Sequence, residues 1–245
     1  MAHFYLIGTL EGAAIGHVVA LEGAEARHAA AVSRVRAGEK LAVGDGRGTV
    51  ATGAVESATP SEVLLRVERL ERTPAPAREI LLVQALAKGD RDELAIQAAT
   101  ELGVDRIVPW QAERSVSRWS ADKAERGRER WATIVREAVK QSMRPWLPEV
   151  APLAQRADVA ALASAHAVLV LEPTAETSFA AAVETAAGRP LALVVGPEGG
   201  VSAAELAAFA AAGAVAVRLG PEVLRTSTAG PAALAALGVL TGRWS

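Results

Sequence analysis

Leu191-Ala-Leu-Val-Val-Gly-Pro-Glu-Gly-Gly-Val-Ser-Ala-Ala-Glu205 is the stretch on which the fold of this chain turns. Five apolar residues of strand type run into a glycine-rich pentapeptide, and a helix-start signal follows at once. Ser202 and Glu205 have the spacing of a capping box, in which each side chain accepts the other residue's backbone N–H. Val201 and Leu206 have the spacing of the adjoining hydrophobic staple. The helix therefore begins after Ser202, and Gly196 to Gly200 form a tight turn whose glycines admit a ligand close to the backbone. A strand, loop and helix of this kind belong to an open α/β sheet, where ligands bind beyond the strand ends and against helix N-termini. A second such unit follows, Leu219-Gly-Pro-Glu-Val-Leu-Arg-Thr-Ser-Thr-Ala-Gly230. One glycine-rich turn alone is an ordinary connection. Two in succession, the second carrying Arg225, Thr226, Ser227 and Thr228 ahead of an alanine-rich helix, mark a site.

Working outward, strands and helices alternate. Ile80 to Leu86 reads as a strand, and Asp90 with Glu93 as a capping-box start for a helix stopped by Gly103. Arg106 to Trp110 is a strand, Ala121 to Ser142 a long polar helix, and Ala167 to Leu171 a strand followed by a helix near 175–187. The helix from Ala203 stops at Gly213, Val215 to Leu219 is the last strand, and Ala229 to Leu240 the last helix. Such alternation implies a mostly parallel sheet covered on both faces. The linker Glu71-Arg-Thr-Pro-Ala-Pro-Ala-Arg78 separates this region from a β-rich one. There, Lys40 to Val43 and Thr49 to Val55 flank a glycine-rich hairpin turn, Val63 to Leu70 alternates as a strand, Glu22 to Val35 reads as one short helix, and Met1 to Leu6 opens as a first strand. The expected organisation is a small barrel over 1–72 and an α/β domain over 73–245.

Composition removes several classes of function. There is no cysteine, which excludes thiol nucleophiles and disulfides, and the four histidines (His3, His17, His28, His166) lack ligand-like spacing, so no metal site is expected. No apolar run approaches the ~20 residues of a membrane span. The opening residues lack the layout of a signal peptide, so a cytoplasmic protein is expected. No phosphate-cradling P-loop, nucleophile elbow or G-x-G-x-x-G dinucleotide turn is present. What remains is a pocket of main-chain groups from two loops with few ionisable side chains, namely Glu172, Glu198 and Arg225; it suits a neutral or zwitterionic cofactor. The net charge is −2, yet Arg114 to Arg144 holds 9 basic against 4 acidic residues. That block is equally readable as a phosphate-following surface or a solvated helix face.

These motifs resemble the RsmE family of SPOUT-type 16S rRNA (uracil-N3)-methyltransferases. The resemblance rests on Gly-Pro-Glu-Gly-Gly at 196–200 with Ser202 and Glu205, and on Leu219-Gly-Pro-Glu-Val-Leu-Arg-Thr-Ser-Thr-Ala229. It extends through Lys88-Gly-Asp-Arg91, Gln97 to Gly103, Glu113-Arg-Ser115, Gln141-Ser142 with Arg144, and, nearer the start, His28, Val32, Arg34, Gly38 and Asp45-Gly46. The sequence departs from the family pattern at Ser227, where a carboxylate is usual, at Lys140, often Glu, and at Ser33 in the Val-Leu-Arg trio.

The resemblance implies a PUA-like barrel for RNA and a C-terminal α/β domain with a deep trefoil knot in roughly 167–240. It implies S-adenosylmethionine as cofactor, held by Leu171, Glu172, Gly196, Pro197, Glu198, Gly199, Gly200, Leu219, Gly220, Leu224, Arg225, Thr226, Ser227 and Thr228. Arg225 is the catalytic candidate, with Glu198 as a second whose other reading is a turn carboxylate. Arg34, Arg36, Lys88, Arg91, Arg114, Gln141 and Arg144 are the expected RNA-facing residues; Arg34 and Arg36 read equally as solvated charges. Of five tryptophans, Trp146 is favoured for stacking on RNA, whereas His28 is read first as a core histidine. The implied partners are 16S rRNA in the small ribosomal subunit and a second copy of the chain. The second copy is expected to cover part of the final helix at Ala232, Leu234, Leu237 and Leu240. Ribose 2′-O methylation and RNA binding without catalysis are the competing functions.

Overall fold

The computed structural model describes residues 3–244, which fall into two compact units. Residues up to Ala75 group with Val139–Leu147, and Pro76–Ala138 with the chain from Pro148 onward. A single cut at residue 72 therefore omits the return of 139–147 to the first unit.

The first unit holds β1 (His3–Leu6), β2 (Val18–Glu22), α1 (Gly23–Arg27), β3 (Lys40–Gly44), β4 (Thr49–Ala58) and β5 (Glu62–Arg72). Met1 and Ala2, the first residues of the expected opening strand, lie outside the described residues. The five strands form one sheet in the order β1-β3-β4-β5-β2, with β1 parallel to β3 and the other pairs antiparallel. Bulges between Thr52 and Gly53 and between Val55 and Ser57 coil the long β4–β5 pair, which curls the sheet into a half-barrel. Gly53 makes that possible: a Cβ there would lie 1.8 Å from the Arg66 carbonyl oxygen. The concave face buries Tyr5, Leu21, Leu41, Val43, Leu65 and Val67. The helix expected over 22–35 is divided. Glu22 closes β2, a strand with no counterpart in the sequence reading, and α1 runs into a π-helical turn over His28–Val32.

The second unit holds β6 (Ile80–Ala85), α2 (Arg91–Glu101), β7 (Arg106–Trp110) and most of α3 (Ala121–Ser142). It continues through β8 (Glu149–Val150), α4 (Arg156–Ala161), β9 (Ala167–Leu171), α5 (Phe179–Thr185), β10 (Leu191–Val195), α6 (Ala203–Ala211), β11 (Val215–Val217) and α7 (Thr226–Leu240). Its sheet is wholly parallel, in the order β11-β9-β10-β6-β7-β8. Both faces are covered, as the unbroken apolar strands require. Leu82, Ile96, Trp131, Phe179, Leu234 and Leu237 pack on one face, and Leu81, Val83, Trp110, Val194 and Phe209 on the other. β8 and α4 are too short to be signalled by periodicity.

Two helix starts with the same spacing came out differently. At α6 the capping box forms: Ser202 Oγ accepts the Glu205 N–H at 3.2 Å, and Glu205 Oε2 accepts the Ser202 N–H at 2.9 Å. At α2 it does not. Asp90 sits in the left-handed region (φ 59°) with no side-chain cap, and Glu93 pairs instead with Arg130. Asp92 takes over locally, accepting the Ala87 N–H at 3.0 Å and the Glu93 N–H at 2.9 Å. Burial raises the Asp92 carboxyl above its ordinary value, and those N–H groups only partly oppose the shift. The helix near 175–187 is shorter than expected, because Ser178 caps it at Phe179. α7 starts at Thr226 rather than Ala229.

The expected partner-facing side of α7 also needs correction. Leu234 and Leu237 are buried in the chain's own core and Ala232 is half-buried, because Gly230 lets the helix press onto the sheet, where a Cβ would meet Leu82 Cδ1 at 3.0 Å. Only Leu240, with its neighbour Val239, stays open at that end. Among the described residues, no helix is long and apolar enough to cross a membrane, and no cluster of His, Cys, Asp or Glu is arranged to hold a metal.

Candidate active site

The loops that leave the C-terminal ends of β9, β10 and β11 wall a cavity of about 400 Å³, within the usual size of small-molecule sites. Leu171, Glu172, Gly196, Pro197, Glu198 and Gly200 line it from the first two loops, and Leu219, Gly220, Leu224, Arg225 and Thr226 from the third. Gly199, Ser227 and Thr228 do not. Gly199 turns toward Arg114, whose Cβ would be 3.1 Å from a Cβ at this position. Ser227 and Thr228 lie in the first turn of α7, where the Thr228 N–H bonds the Arg225 carbonyl at 2.8 Å. The structure adds Val195, Val201 and Val217 as apolar floor, and Arg91 and Val223 at the rim. The three floor valines read in sequence only as strand and staple residues; that they turn into a cavity depends on which strands stand side by side.

The loop after β10 is wired at every step. Gly200, in the left-handed region (φ 71°), closes a turn in which its N–H bonds the Pro197 carbonyl at 2.9 Å. Glu198 Oε1 accepts the Lys88 N–H at 3.0 Å and the Arg91 guanidinium at 2.9 Å. Burial pushes the Glu198 carboxyl upward, but bonds from its own N–H, Lys88 and Arg91 outweigh this and hold it below the ordinary carboxylate value. A carboxylate so occupied is a poor proton acceptor and a good strut. At the start of the loop, Thr226 Oγ1 donates to the Gly196 carbonyl at 2.8 Å and accepts from Gln84 Nε2 at 2.9 Å. The buried Thr226 hydroxyl thus ties two loops together and is already spent. Gln84, wholly buried in β6, carries no sequence signal except its polarity within an apolar run. Trp110 Nε1 fixes the end of β10 by donating to the Val195 carbonyl at 2.9 Å.

The third loop is wired differently. Arg225 occupies the N-cap position of α7, is exposed, lines the cavity, and its guanidinium has no hydrogen-bond or ion-pair partner among the described residues. Val223 is 78% exposed and Leu224 37%. Glu172, on the first loop, is a turn carboxylate, accepting from the Thr174 N–H and hydroxyl at 3.2 and 2.9 Å.

The expected RNA-facing residues are shared between the two units. Arg34, Arg36, Gln141 and Arg144 belong to the first unit, and Lys88, Arg91 and Arg114 to the second. Arg34 is exposed in a left-handed conformation (φ 53°) directly after the π-helical turn, and Arg36 and Gln141 are exposed. Lys88 lines a separate cleft with Trp119 and Trp131. Arg91 is committed to Glu198, and Arg114 donates to the Gly199 carbonyl at 3.1 Å. Trp146, favoured for stacking, is half-buried. Its indole N–H reaches the Thr73 and Pro74 carbonyls at 3.1 and 3.2 Å, and its ring presses on Gly48. Lys140 is likewise inward, 3.4 Å from Glu25. His28 is half-buried, edge-on to Tyr5 with ring centroids 6.0 Å apart.

Comparison with known proteins gives a consistent result. The sequence profile described as RNA methyltransferase domain matches residues 73–238, and that described as RNA methyltransferase PUA domain matches residues 21–68. The ribosomal RNA small subunit methyltransferase E of Mycobacterium bovis is 45% identical over 234 residues, which cover 94% of this chain and 89% of that protein. The protein of the same name from Bacillus subtilis is 32% identical over 231 residues, 90% of each chain. The crystal structure of a ribosomal RNA small subunit methyltransferase E from Neisseria gonorrhoeae, bound to S-adenosyl methionine, superposes with a TM-score of 0.87 at 28% identity over 98% of both chains. With that profile spanning most of the second unit, a PUA profile in the first, and relatives of one name matched over nearly their whole length, this chain belongs to the RNA methyltransferase family typified by ribosomal RNA small subunit methyltransferase E.

Proposed function

We propose that the protein methylates N3 of a specific uridine in 16S rRNA of the small ribosomal subunit, with S-adenosylmethionine as donor. The observation that carries this reading is the cavity at the ends of β9, β10 and β11, in a chain 45% identical to a named small-subunit rRNA methyltransferase. The residues present fit that cofactor. The walls are apolar side chains and glycine-rich main chain, no phosphate-binding lysine faces inward, and the charges at the rim belong to Arg91, Glu172, Glu198, Glu222 and Arg225. When bound, the cofactor supplies a methyl group on a positively charged sulfur.

In this reading the loops 171–173, 196–200 and 219–226 hold the cofactor, with Glu198 as strut. Methyl transfer needs in-line placement above all. A neutral uracil must also lose its N3 proton, leaving negative charge on the ring oxygens. Arg225, unpaired at the cavity mouth, is placed to stabilise that charge as an oxyanion-hole donor does. The N3 proton leaves to bulk water as that anion forms; Glu198, held below its ordinary value, is not offered as its acceptor. Gly199, Ser227 and Thr228 act on the loops rather than on the cofactor.

The first unit, with its PUA-like sheet, is assigned to rRNA, aided by Arg34, Arg36, Gln141 and Arg144. The knotted threading of residues 167–240, a working place in the cytoplasm, and a homodimer that covers exposed Val223, Leu224 and Leu240 belong to the same reading. Light scattering should return about twice 25.3 kDa. The decisive experiment maps rRNA from cells with and without the protein. N3 methylation blocks the Watson–Crick edge and stops reverse transcriptase, whereas ribose 2′-O methylation leaves that edge free. An unchanged stop pattern defeats the N3 assignment.

A further inference from the structure

The 196–200 loop is held from behind by residues that do not line the cavity. Glu113 and Arg114 follow β7 in the chain, some 85 residues before the loop they touch. The Glu113 N–H donates to Glu205 Oε1 at 2.7 Å, and Glu113 Oε2 accepts the Ser202 hydroxyl at 2.5 Å. Ser202 and Glu205 are the reciprocal cap of α6, both almost fully buried, and α6 begins where the loop ends. Arg114 adds a bond to the Gly199 carbonyl at 3.1 Å. The clasp therefore grips the loop at Gly199 and at Ser202, on the side opposite the cavity.

Physical considerations make Glu113 the decisive member. The Ser202 hydroxyl has one proton, and it goes to Glu113, while the oxygen accepts from the Glu205 N–H. Bonds to an ionised acceptor are about twice as strong as neutral ones. Nothing equivalent inside the 113–118 segment replaces them. Val116 is 71% exposed there, and Ser115 Oγ is buried without a hydrogen-bond partner among the described residues.

We propose that Glu113 is a positioning residue for the cofactor loop, acting through Ser202 and Glu205 to keep the main-chain groups of 196–200 at the cavity wall. The proposal rests on the reading of that cavity as the S-adenosylmethionine site. Because Glu113 is exposed and acts on a loop, its removal should move cofactor binding more than folding.

The test titrates S-adenosylmethionine into the full-length protein by calorimetry and measures turnover on small ribosomal subunits. Glu113→Ala should bind about tenfold more weakly, raise KM for the cofactor to match, and keep kcat at saturating cofactor within about threefold of wild type. Glu113→Gln, which retains an acceptor for Ser202, should stay within about threefold of wild-type affinity. Combining Glu113→Ala with Ser202→Ala should be less than additive, since both remove the Ser202–Glu113 bond, Ser202→Ala alone also removing the cap on the Glu205 N–H. Should Glu113→Ala be too unstable to titrate, Glu113→Asp replaces it. That variant keeps the charge but falls a methylene short, and its affinity should drop several-fold. Wild-type affinity in Glu113→Ala, or in Glu113→Asp where that is used, overturns the positioning role while leaving the cavity assignment intact. Absence of binding by the wild-type protein overturns the cavity assignment, and the clasp with it.

Discussion

The two glycine-rich loops, 196–200 and 219–225, look alike in sequence, and each carries a Gly-Pro-Glu. In the fold they are opposites. The first is bonded at Gly196 by Thr226, at Glu198 by Lys88 and Arg91, at Gly199 by Arg114, and at its exit by the Ser202–Glu205 cap. The second keeps Glu222, Val223, Leu224 and Arg225 exposed, and its arginine has no partner among the described residues. The difference teaches how one pocket divides its labour. A wall that must present main-chain groups to a cofactor is fixed before binding, which lowers the ordering cost of association. A rim that must meet a large substrate or a second subunit stays open, with unsatisfied charge and apolar surface left for those encounters.

Breaking the rim should cost most in chemistry. Arg225→Ala is expected to lower turnover on the order of a hundredfold, about 2.7 kcal/mol, with cofactor affinity within a few-fold, as steady-state kinetics and calorimetry will check. Turnover near wild type would make Arg225 a structural cap and remove the contrast between the loops.

Breaking the wall should instead cost stability and binding together. Thr226→Val keeps the shape but leaves the half-buried Gly196 carbonyl without its side-chain donor and deprives Gln84 of one acceptor. A loss of about 2 kcal/mol in denaturant unfolding is expected, with weaker cofactor binding, and Thr226→Ser should restore most of both.

A smaller effect sharpens the comparison through pH. The Glu198 carboxyl is held below its ordinary value, so its ion pair adds stability above the ordinary carboxylate range and loses it as pH falls through the lowered value. Arg91→Met should therefore destabilise at neutral pH and converge with wild type once acid has protonated Glu198 in both. With side chains 42% and 27% exposed the pair is screened, so the gap should not exceed about 1 kcal/mol. A gap that widens in acid would reverse the assigned role. The smallest effect is expected for Val223→Ser, within about 0.5 kcal/mol of wild-type stability. If the rim meets a second subunit, the same substitution should weaken self-association by sedimentation.

Local patterns in the sequence were enough for much of this architecture. Strand and helix alternation gave the parallel sheet, and the glycines after α2 and α6 gave their ends, because period, cap and left-handed turn are properties of a few adjacent residues. The pair Ser202/Glu205 shows how far that goes, and Asp90/Glu93 shows where it stops. Both have capping-box spacing, but the second was undone by Arg130, 37 residues on, and by Asp92, whose carboxylate reaches back to Ala87. Trp146 and Lys140 are tied down in the same way. Their partners, Thr73 with Gly48 and Glu25, are remote in sequence.

By itself, then, the sequence determined the fold class, the two loops, the capped start of α6 and the membership of a methyltransferase family, all of which reside in short motifs or their order. Only the tertiary structure decided which loop residues face the cavity, that the Thr226 hydroxyl is spent on Gly196 and Gln84, that Glu198 is bonded to Lys88 and Arg91 while Arg225 has no partner among the described residues, and that Glu113 bonds Ser202 at the loop's exit. A hydrogen bond spans about 3 Å in space but here joins residues 85 to 142 positions apart, so no reading of neighbours along the chain can find it.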